Sequence, residues 1–153
     1  MEALLDCCPA LKDRLFMLRL NNNMMPKSSD NTAKKILIIE DEKILIDMYC
    51  DKFVRAGFKV IYATEIREGL KLLEKQDPDL ILLDILLPKE NGIIFLKKLK
   101  ERKKKISVPI IAFSNYDNPK IKMEAKKLGV SDYLIKTNYT PGQVVKRIKK
   151  YIN

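Results

Sequence analysis

Several polar residues directly follow apolar runs of this sequence, and their side chains are of types that could act together in one site. They are, in chain order, Glu40, Asp41, Glu42, Asp84, Ser114 and Lys136. Taken singly, each has an ordinary explanation as a helix cap, a turn residue or a surface lysine. Their joint occurrence behind successive apolar runs is harder to explain in that way, so we treat the set as one candidate site.

The chemistry open to this site follows from its charge. Three carboxylates held close together cannot all stay ionised without a compensating cation, and the single ammonium of Lys136 is not enough. A hard divalent cation with oxygen ligands solves the problem, and Mg²⁺ usually shares its shell with water and phosphate oxygens. The set therefore favours a phosphoryl-transfer pocket. In it, Asp84 is the nucleophile, Lys136 neutralises phosphoryl charge and Ser114 donates a hydrogen bond.

The elements that must hold these residues alternate regularly from Lys34 onward. Short apolar runs, typical of buried strands, alternate with segments of helical periodicity, and Gly or Pro residues punctuate them. The predicted strands are Ile36–Ile39, Phe58–Tyr62, Leu80–Leu83, Pro109–Phe113 and Tyr133–Ile135. The predicted helices are Glu42–Ala56, Glu65–Gln76, Gly92–Arg102, Pro119–Leu128 and Pro141–Ile152. The first helix has its apolar periodicity at Ile44, Leu45, Met48, Phe53 and Val54.

This alternation predicts an α/β fold. We expect a doubly wound, five-stranded parallel sheet of (βα)₅ type, with helices on both faces and right-handed crossovers. In such sheets the ligand site lies beyond the carboxyl ends of the strands. Each polar residue of the candidate site follows a predicted strand, so the topology should bring their side chains together at one edge of the sheet.

Composition narrows the possible functions. The 153 residues are enough for one domain with a sizeable core, and the absence of histidine excludes His-based zinc sites and Ser-His-Asp triads. Three cysteines, two of them adjacent, are no disulfide framework. No apolar run approaches the ~20 residues of a membrane-spanning helix, and charged residues interrupt the N-terminus where a secretory signal would be apolar. We therefore expect a cytoplasmic protein with no transmembrane segment.

The formal net charge of +10 leaves several partners open. Nucleic acid, an anionic membrane and an acidic protein would each suit a basic surface. The basic residues concentrate in Lys97–Lys105 and Lys146–Lys150, both on predicted helices. The simplest interpretation is a solvated helix face.

Residues 1–33 differ from the rest of the chain and are predicted to be an N-terminal extension, with the folded domain at 34–153. Pro9–Leu20 has the spacing of a short amphipathic helix, and Asn21–Ala33 reads as a linker or disordered tail. The helix is either a membrane-surface or partner-docking element or a frayed tail. A third alternative is that Met24 or Met25 is the true start.

The motifs at the strand ends resemble the receiver domain of two-component response regulators, specifically the single-domain, chemotaxis-regulator-like kind. The resemblance covers about Lys35 to Ile152. It rests on the segments 36–42 (ILIIEDE), 82–92 (LLDILLPKENG), 110–114 (IIAFS) and 132–136 (DYLIK). The spacing of Asp84, Ser114 and Lys136 is also similar to that of the family. The resemblance implies a flavodoxin-like sheet with strand order 2-1-3-4-5.

The resemblance also implies a role for each matching acidic residue. Asp84 corresponds to the phosphorylated aspartate. Glu40 and Asp41 correspond to the acidic pair that holds Mg²⁺, with Asp41 as a direct ligand. Leu86 stands where a backbone carbonyl ligates the metal, so the expected metal ligands are Glu40, Asp41, Asp84 and the Leu86 carbonyl.

Further matches concern the switch that reports phosphorylation. Ser114 corresponds to the hydroxyl that moves to meet the phosphoryl group, and Tyr133 to the aromatic that turns inward afterwards. Lys136 corresponds to the phosphoryl-binding lysine. Pro88 and Gly92 match the turn after the acceptor strand.

Three positions depart from the family pattern. Asn115 replaces the small residue that usually follows the switch hydroxyl, and this larger side chain could restrict access to the acyl phosphate. Thr137 stands where the family has a proline joined by a cis bond, and a cis bond before Thr would cost ~2.5–4 kcal/mol. Glu40 replaces an Asp, a change that leaves metal binding intact.

The expected function is therefore a phosphoacceptor switch in a phosphorelay, with a sensor histidine kinase or a phosphotransfer protein as donor. It is not a turnover enzyme, beyond self-catalysed phosphotransfer and autodephosphorylation. Because no DNA-binding domain follows Asn153, we expect output through an unknown protein target.

Two alternatives to this function remain. A nucleic-acid-binding domain is suggested by the charge, although the basic runs lack interleaved aromatics. A phosphohydrolase would need an acid–base residue beside Asp84, where Leu86 is apolar.

Overall fold

The computed structural model of the chain describes residues 33–102 and 107–152. The predictions for the N-terminal extension therefore lie outside the described residues, apart from position 33. The end of the Lys97–Lys105 run lies outside them as well.

Five parallel strands form a single sheet in the order β2-β1-β3-β4-β5, which confirms the predicted class and strand order. The strands are β1 (Lys35–Ile39), β2 (Lys59–Ala63), β3 (Leu80–Asp84), β4 (Ile110–Ser114) and β5 (Asp132–Ile135). Every residue of β3 and β4 is buried, as expected for central strands covered on both faces. These two strands end in Asp84 and Ser114, so both side chains lie at the carboxyl edge of the buried sheet.

Five α-helices connect and cover the strands: α1 (Lys43–Arg55), α2 (Ile66–Gln76), α3 (Gly92–Lys100), α4 (Pro119–Lys127) and α5 (Pro141–Lys149). Side-chain caps fix three of their starts. The Asn91 side chain accepts from the Ile93 N–H, and Asn118 accepts from Lys120 and Ile121. Thr140 and Gln143 form a reciprocal capping box. These caps set where each helix begins after its loop, and the loops carry the residues of the site.

The sheet separates two apolar clusters. Helices α2, α3 and α4 contribute to the cluster on one face, together with alternate strand residues such as Leu37 and Leu83. Helices α1 and α5 contribute to the cluster on the other face, which includes Phe53, Phe113 and Ile148. Side chains that alternate between the faces of each strand supply both clusters. This arrangement leaves the carboxyl edge of the sheet as the place where polar groups can meet.

The predicted inward face of α1 was partly wrong. Ile44, which was assigned to the apolar periodicity, is 81% exposed. The buried face of α1 consists of Ile46, Tyr49, Cys50 and Phe53. This set has the i, i+3, i+4, i+7 spacing of a helix face, but the predicted periodicity contains only one of its members, Phe53, and lacks Ile46, Tyr49 and Cys50.

None of the helices in the described part of the chain is both long enough and apolar enough to cross a membrane.

Candidate functional site

Asp84 ends the central strand β3, with β1 on one side and β4 on the other. It is 4% exposed, and its two carboxylate oxygens have different partners. Oδ1 accepts from the Leu86 backbone N–H at 2.8 Å, and Oδ2 lies 2.7 Å from the Lys136 ammonium. A buried carboxylate with both oxygens engaged is held in one orientation, as a nucleophile that must be aimed requires.

The loop after Asp84 depends on glycine at position 92. The Gly92 N–H donates to the Ile85 carbonyl at 2.9 Å, and this bond returns the chain close to the end of β3. A Cβ at position 92 would collide with the Asp84 carbonyl oxygen and lie 2.9 Å from the Ile85 Cα. The predicted match of Gly92 to the turn after the acceptor strand thus has a steric reason.

Glu40 follows the last residue of β1 and extends its pairing with β2, because its N–H donates to the Ala63 carbonyl at 3.0 Å. The side chain is buried, and its Oε2 lies 2.6 Å from the Lys136 ammonium. Its Oε1 accepts from the Glu42 N–H at 3.3 Å. Asp41 and Glu42 follow in the turn that leads into α1, where neither is buried.

Lys136 joins the two buried carboxylates. It follows β5, and its side chain is only 7% exposed. Burial alone would lower the pKa of this ammonium, but its hydrogen bonds to Asp84 and Glu40 outweigh burial, so the pKa is raised. Lys136 is therefore charged at physiological pH and stands ready to face further negative charge.

One ammonium does not balance this cluster. Burial, opposed by the hydrogen bond from Lys136 and reinforced by the charge of Asp84, raises the pKa of Glu40 to about 7. Burial is the larger cause of this rise, and the charge of the neighbouring Asp84 adds to it, so the hydrogen bond from Lys136 offsets the two only in part. The three carboxylates of Glu40, Asp41 and Asp84 thus face the single ammonium of Lys136.

The acidic residues fit a metal ion. Carboxylate oxygens of Glu40, Asp41 and Asp84, one from each residue, all lie within 4.8 Å of one another. An oxygen-only donor set of this kind suits Mg²⁺, which keeps several waters of its own. The position of Asp41 at the solvent side leaves the cluster open for those waters. The Leu86 N–H donates to Asp84 in this cluster. That the Leu86 carbonyl is a metal ligand stays a prediction.

Ser114 and Tyr133 meet at a single backbone group. The Ser114 hydroxyl donates to the Tyr116 carbonyl at 3.3 Å and accepts from the Tyr116 N–H at 3.2 Å. The Tyr133 hydroxyl donates to the same carbonyl at 3.4 Å. Tyr133 is 9% exposed, so its ring already lies inward in this structure.

Tyr116 was missing from the sequence-based site. Its role here comes from its backbone, which has no signature of its own. The one available signal was Ser114 itself, since a serine hydroxyl often binds the backbone two residues along the chain. In this structure the loop between β4 and α4 is held by the residue predicted to be the switch.

The two unusual neighbours of the site point outward. Asn115 and Thr137 are both exposed. Lys136–Asn138 forms a short 3₁₀ turn, and the described residues contain no cis peptide bond. Thr137 in place of proline therefore does not prevent Lys136 from reaching Glu40 and Asp84.

A cavity of about 470 Å³ adjoins the acidic cluster on its outer side. It lies between the loops that follow β2 and β3, and Asp41 forms part of its wall. The Lys89 ammonium and a Glu65 carboxylate oxygen, 2.6 Å apart, connect the two loops. The acidic cluster thus adjoins, through Asp41, a cavity that has charged residues in its walls.

Comparisons with known proteins agree with this geometry. The chain is 37% identical over 116 residues to the alkaline phosphatase synthesis transcriptional regulatory protein PhoP of Bacillus subtilis. This alignment covers 76% of this chain and 47% of that protein. It is 32% identical over 117 residues to the phosphate regulon transcriptional regulatory protein PhoB of Escherichia coli, covering 76% of this chain and 51% of that protein. The chain thus spans about half the length of these curated relatives.

A solved structure and a family match complete the comparison. The structure of the chemotaxis protein CheY4 of Vibrio cholerae superposes with a TM-score of 0.72 at 25% identity, covering 78% of this chain and 99% of that one. Residues 36–149 match the response regulator receiver domain. The matched range contains every residue of the site, from Glu40 to Lys136. The chain therefore belongs to the response regulator receiver domain family, whose members act as phosphoacceptors in two-component signalling.

Proposed function

We propose that Asp84 is the residue of this receiver domain that accepts the phosphoryl group. The observation that carries the proposal is the position of its carboxylate, which is buried, bonded to Lys136 at 2.7 Å and within 4.8 Å of the oxygens of Glu40 and Asp41. The donor is a phosphohistidine on a sensor histidine kinase or a phosphotransfer protein. An Asp84 oxygen attacks phosphorus, the phosphorus–nitrogen bond breaks, and its electron pair stays on the imidazole.

The residues around Asp84 have separate tasks in this step. Lys136 faces the negative charge that develops on the phosphoryl oxygens, and the Leu86 N–H holds Asp84 Oδ1 in place. Glu40 and Asp41, with Asp84 and the Leu86 carbonyl, would hold Mg²⁺. When bound, this ion neutralises charge on the acidic cluster and on the phosphoryl oxygens.

The switch follows from the shared backbone group at Tyr116. Once the phosphoryl group is present, the Ser114 hydroxyl turns toward it and leaves both of its bonds to Tyr116. Of the two hydroxyls, only that of Tyr133 then still bonds to the Tyr116 carbonyl in the loop between β4 and α4. We infer that the loop and the surface of α4, β5 and α5 rearrange together, and that this surface contacts a downstream protein.

The domain acts as a switch, and its chemistry is limited to self-catalysed phosphotransfer and autodephosphorylation. A phosphohydrolase would need an acid–base group beside the nucleophile, but the side chain two positions after Asp84 is that of Leu86, which is apolar and 43% exposed. A role beside a histidine kinase further suggests a cytoplasmic location.

Intact-mass measurement tests the acceptor. With acetyl phosphate and Mg²⁺, the protein should gain the mass of one phosphoryl group, and Asp84→Asn should gain none. Asp117→Asn, which changes an exposed carboxylate in the loop after β4, is the matched control and should be modified like the unaltered protein. Equal modification of the Asp84→Asn variant would refute the assignment.

A further inference from the structure

The Lys136 ammonium has an aromatic neighbour that phosphoryl transfer as proposed above does not use. Its Nζ lies 5.5 Å from the centroid of the Phe113 ring, over the ring. A cation in this position is attracted by the negative face of the ring, most strongly where water is excluded. Phe113 is 1% exposed and the Lys136 side chain 7%. The contact is therefore desolvated on both sides.

The ring lies where the ammonium lacks a polar partner. An ammonium has three N–H donors. Glu40 Oε2 at 2.6 Å and Asp84 Oδ2 at 2.7 Å accept two of them. Over residues 33–102 and 107–152, the structure gives the Lys136 Nζ no third hydrogen-bond acceptor. The Phe113 ring therefore supplies the remaining favourable electrostatic contact.

Phe113 is itself held in place. It pairs with Asp84 in the register of β3 and β4, and its carbonyl accepts from the Ile85 N–H at 3.2 Å. Its ring meets the ring of Tyr49 at a centroid distance of 5.2 Å and an interplanar angle of 82°. Tyr49 is 4% exposed and belongs to the same apolar cluster. An edge-to-face pair in a close-packed core leaves the Phe113 ring little freedom to turn.

We propose that Phe113 is a positioning residue, which holds the Lys136 ammonium against the two carboxylates while Tyr49 fixes the Phe113 ring. This inference rests on the proposed acceptance of a phosphoryl group at Asp84, and Phe113 acts there only through Lys136. A charge held in place before the reaction needs little reorganisation when phosphoryl charge develops beside it. Phe113 thus affects the rate of transfer without touching the donor.

Proton NMR of the unphosphorylated protein tests the contact directly. Protons above an aromatic ring resonate upfield, so the Lys136 εCH₂ protons should lie upfield of those of the exposed lysines. The shift should persist in Phe53→Leu and disappear in Phe113→Leu. Phe53 is a matched control, because it is a fully buried phenylalanine of the same cluster whose ring also stacks on Tyr49. An unshifted Lys136 signal in the unaltered protein overturns the proposal, whether or not the variants fold.

Kinetics test the consequence. With acetyl phosphate and Mg²⁺, Phe113→Leu should take up the phosphoryl group about five- to tenfold more slowly than the unaltered protein, and Phe53→Leu less than about twofold. Equal rates for the two variants overturn the positioning role. The acceptor assignment fails separately, when the unaltered protein gains no phosphoryl mass. In that case the NMR shift alone decides whether Phe113 holds Lys136.

Discussion

Glu40 and Lys136 respond in opposite ways to the same burial. Both side chains are nearly inaccessible, and burial disfavours the charged form of each. Lys136 is compensated by two carboxylates and keeps its charge, whereas Glu40 must share one ammonium with Asp84. The pKa of Glu40 is therefore raised, first by burial and then by the charge of Asp84, beyond what the bond from Lys136 offsets.

The stability of the metal-free protein should fall as pH rises through the titration of Glu40. The pKa of Glu40 is near 4.5 in the unfolded chain and is raised to about 7 on folding. Between these values the folded state binds more protons than the unfolded state, so the free energy of unfolding decreases with rising pH. The loss starts near pH 4.5, is complete just above pH 7 and amounts to about 3–4 kcal/mol. Urea unfolding in EDTA across this range measures it.

Glu40→Gln is the control for this effect. The amide cannot ionise, so its free energy of unfolding should change less with pH and should exceed that of the unaltered protein at pH 8. Parallel stability profiles for the two proteins would show that another group is responsible.

At the scale of elements, the loop between β3 and α3 sets the geometry around Asp84. Its path returns close to the end of β3, because the Gly92 N–H bonds to the Ile85 carbonyl. Gly92 is also the first residue of α3, so strand and helix meet at a position without a side chain. A side chain at position 92 would press on the backbone of Asp84 and Ile85.

Gly92→Ala should destabilise the fold by about 1–3 kcal/mol, because the added methyl group overpacks against the end of β3. It should also slow phosphorylation, since the backbone of Asp84 must shift. Gly142→Ala is the matched control: it also lies in the first turn of a helix, and a Cβ there meets no atom within 4 Å. Denaturant unfolding and intact-mass time courses measure both effects. Similar stability in the two variants would contradict the steric reason given for Gly92.

At the scale of the whole molecule, several basic residues of the described surface are paired with carboxylates. Lys97 lies 2.8 Å from Glu124 and Arg102 lies 2.7 Å from Glu74, so the basic end of α3 is partly neutralised. Such exposed pairs contribute little stability, but they reduce the local positive field. The described part of the α3 surface therefore favours nucleic-acid binding less than the net charge suggests.

Mg²⁺ should stabilise the whole domain by binding to the folded state. At a free concentration one hundredfold above its dissociation constant, the ion adds about 2.7 kcal/mol to the free energy of unfolding and raises the melting temperature. Asp41→Asn should lose most of this increase, because it removes a carboxylate from the cluster. Asp117→Asn should keep it. A thermal melt with and without Mg²⁺ gives the comparison, and an equal increase in both variants would place the ion elsewhere.

The sequence by itself determined the fold and most members of the site. Continuous apolar runs punctuated by Gly and Pro identify the strands of a parallel sheet, and its topology requires the residues behind those strands to meet. Glu40, Asp84 and Lys136 are brought together in this way, although they are far apart in the chain. Periodicity was less informative for α1, where the buried face includes a tyrosine and a cysteine.

Only the tertiary structure decided the contacts between those residues. In the structure, Lys136 bonds to both Glu40 and Asp84, and the Phe113 ring lies under its ammonium. The Ser114 and Tyr133 hydroxyls both donate to the Tyr116 carbonyl. The physical reason is that a strand pattern fixes the edge at which a side chain emerges. Its partner, its distance and its burial depend on packing against residues that are remote in sequence.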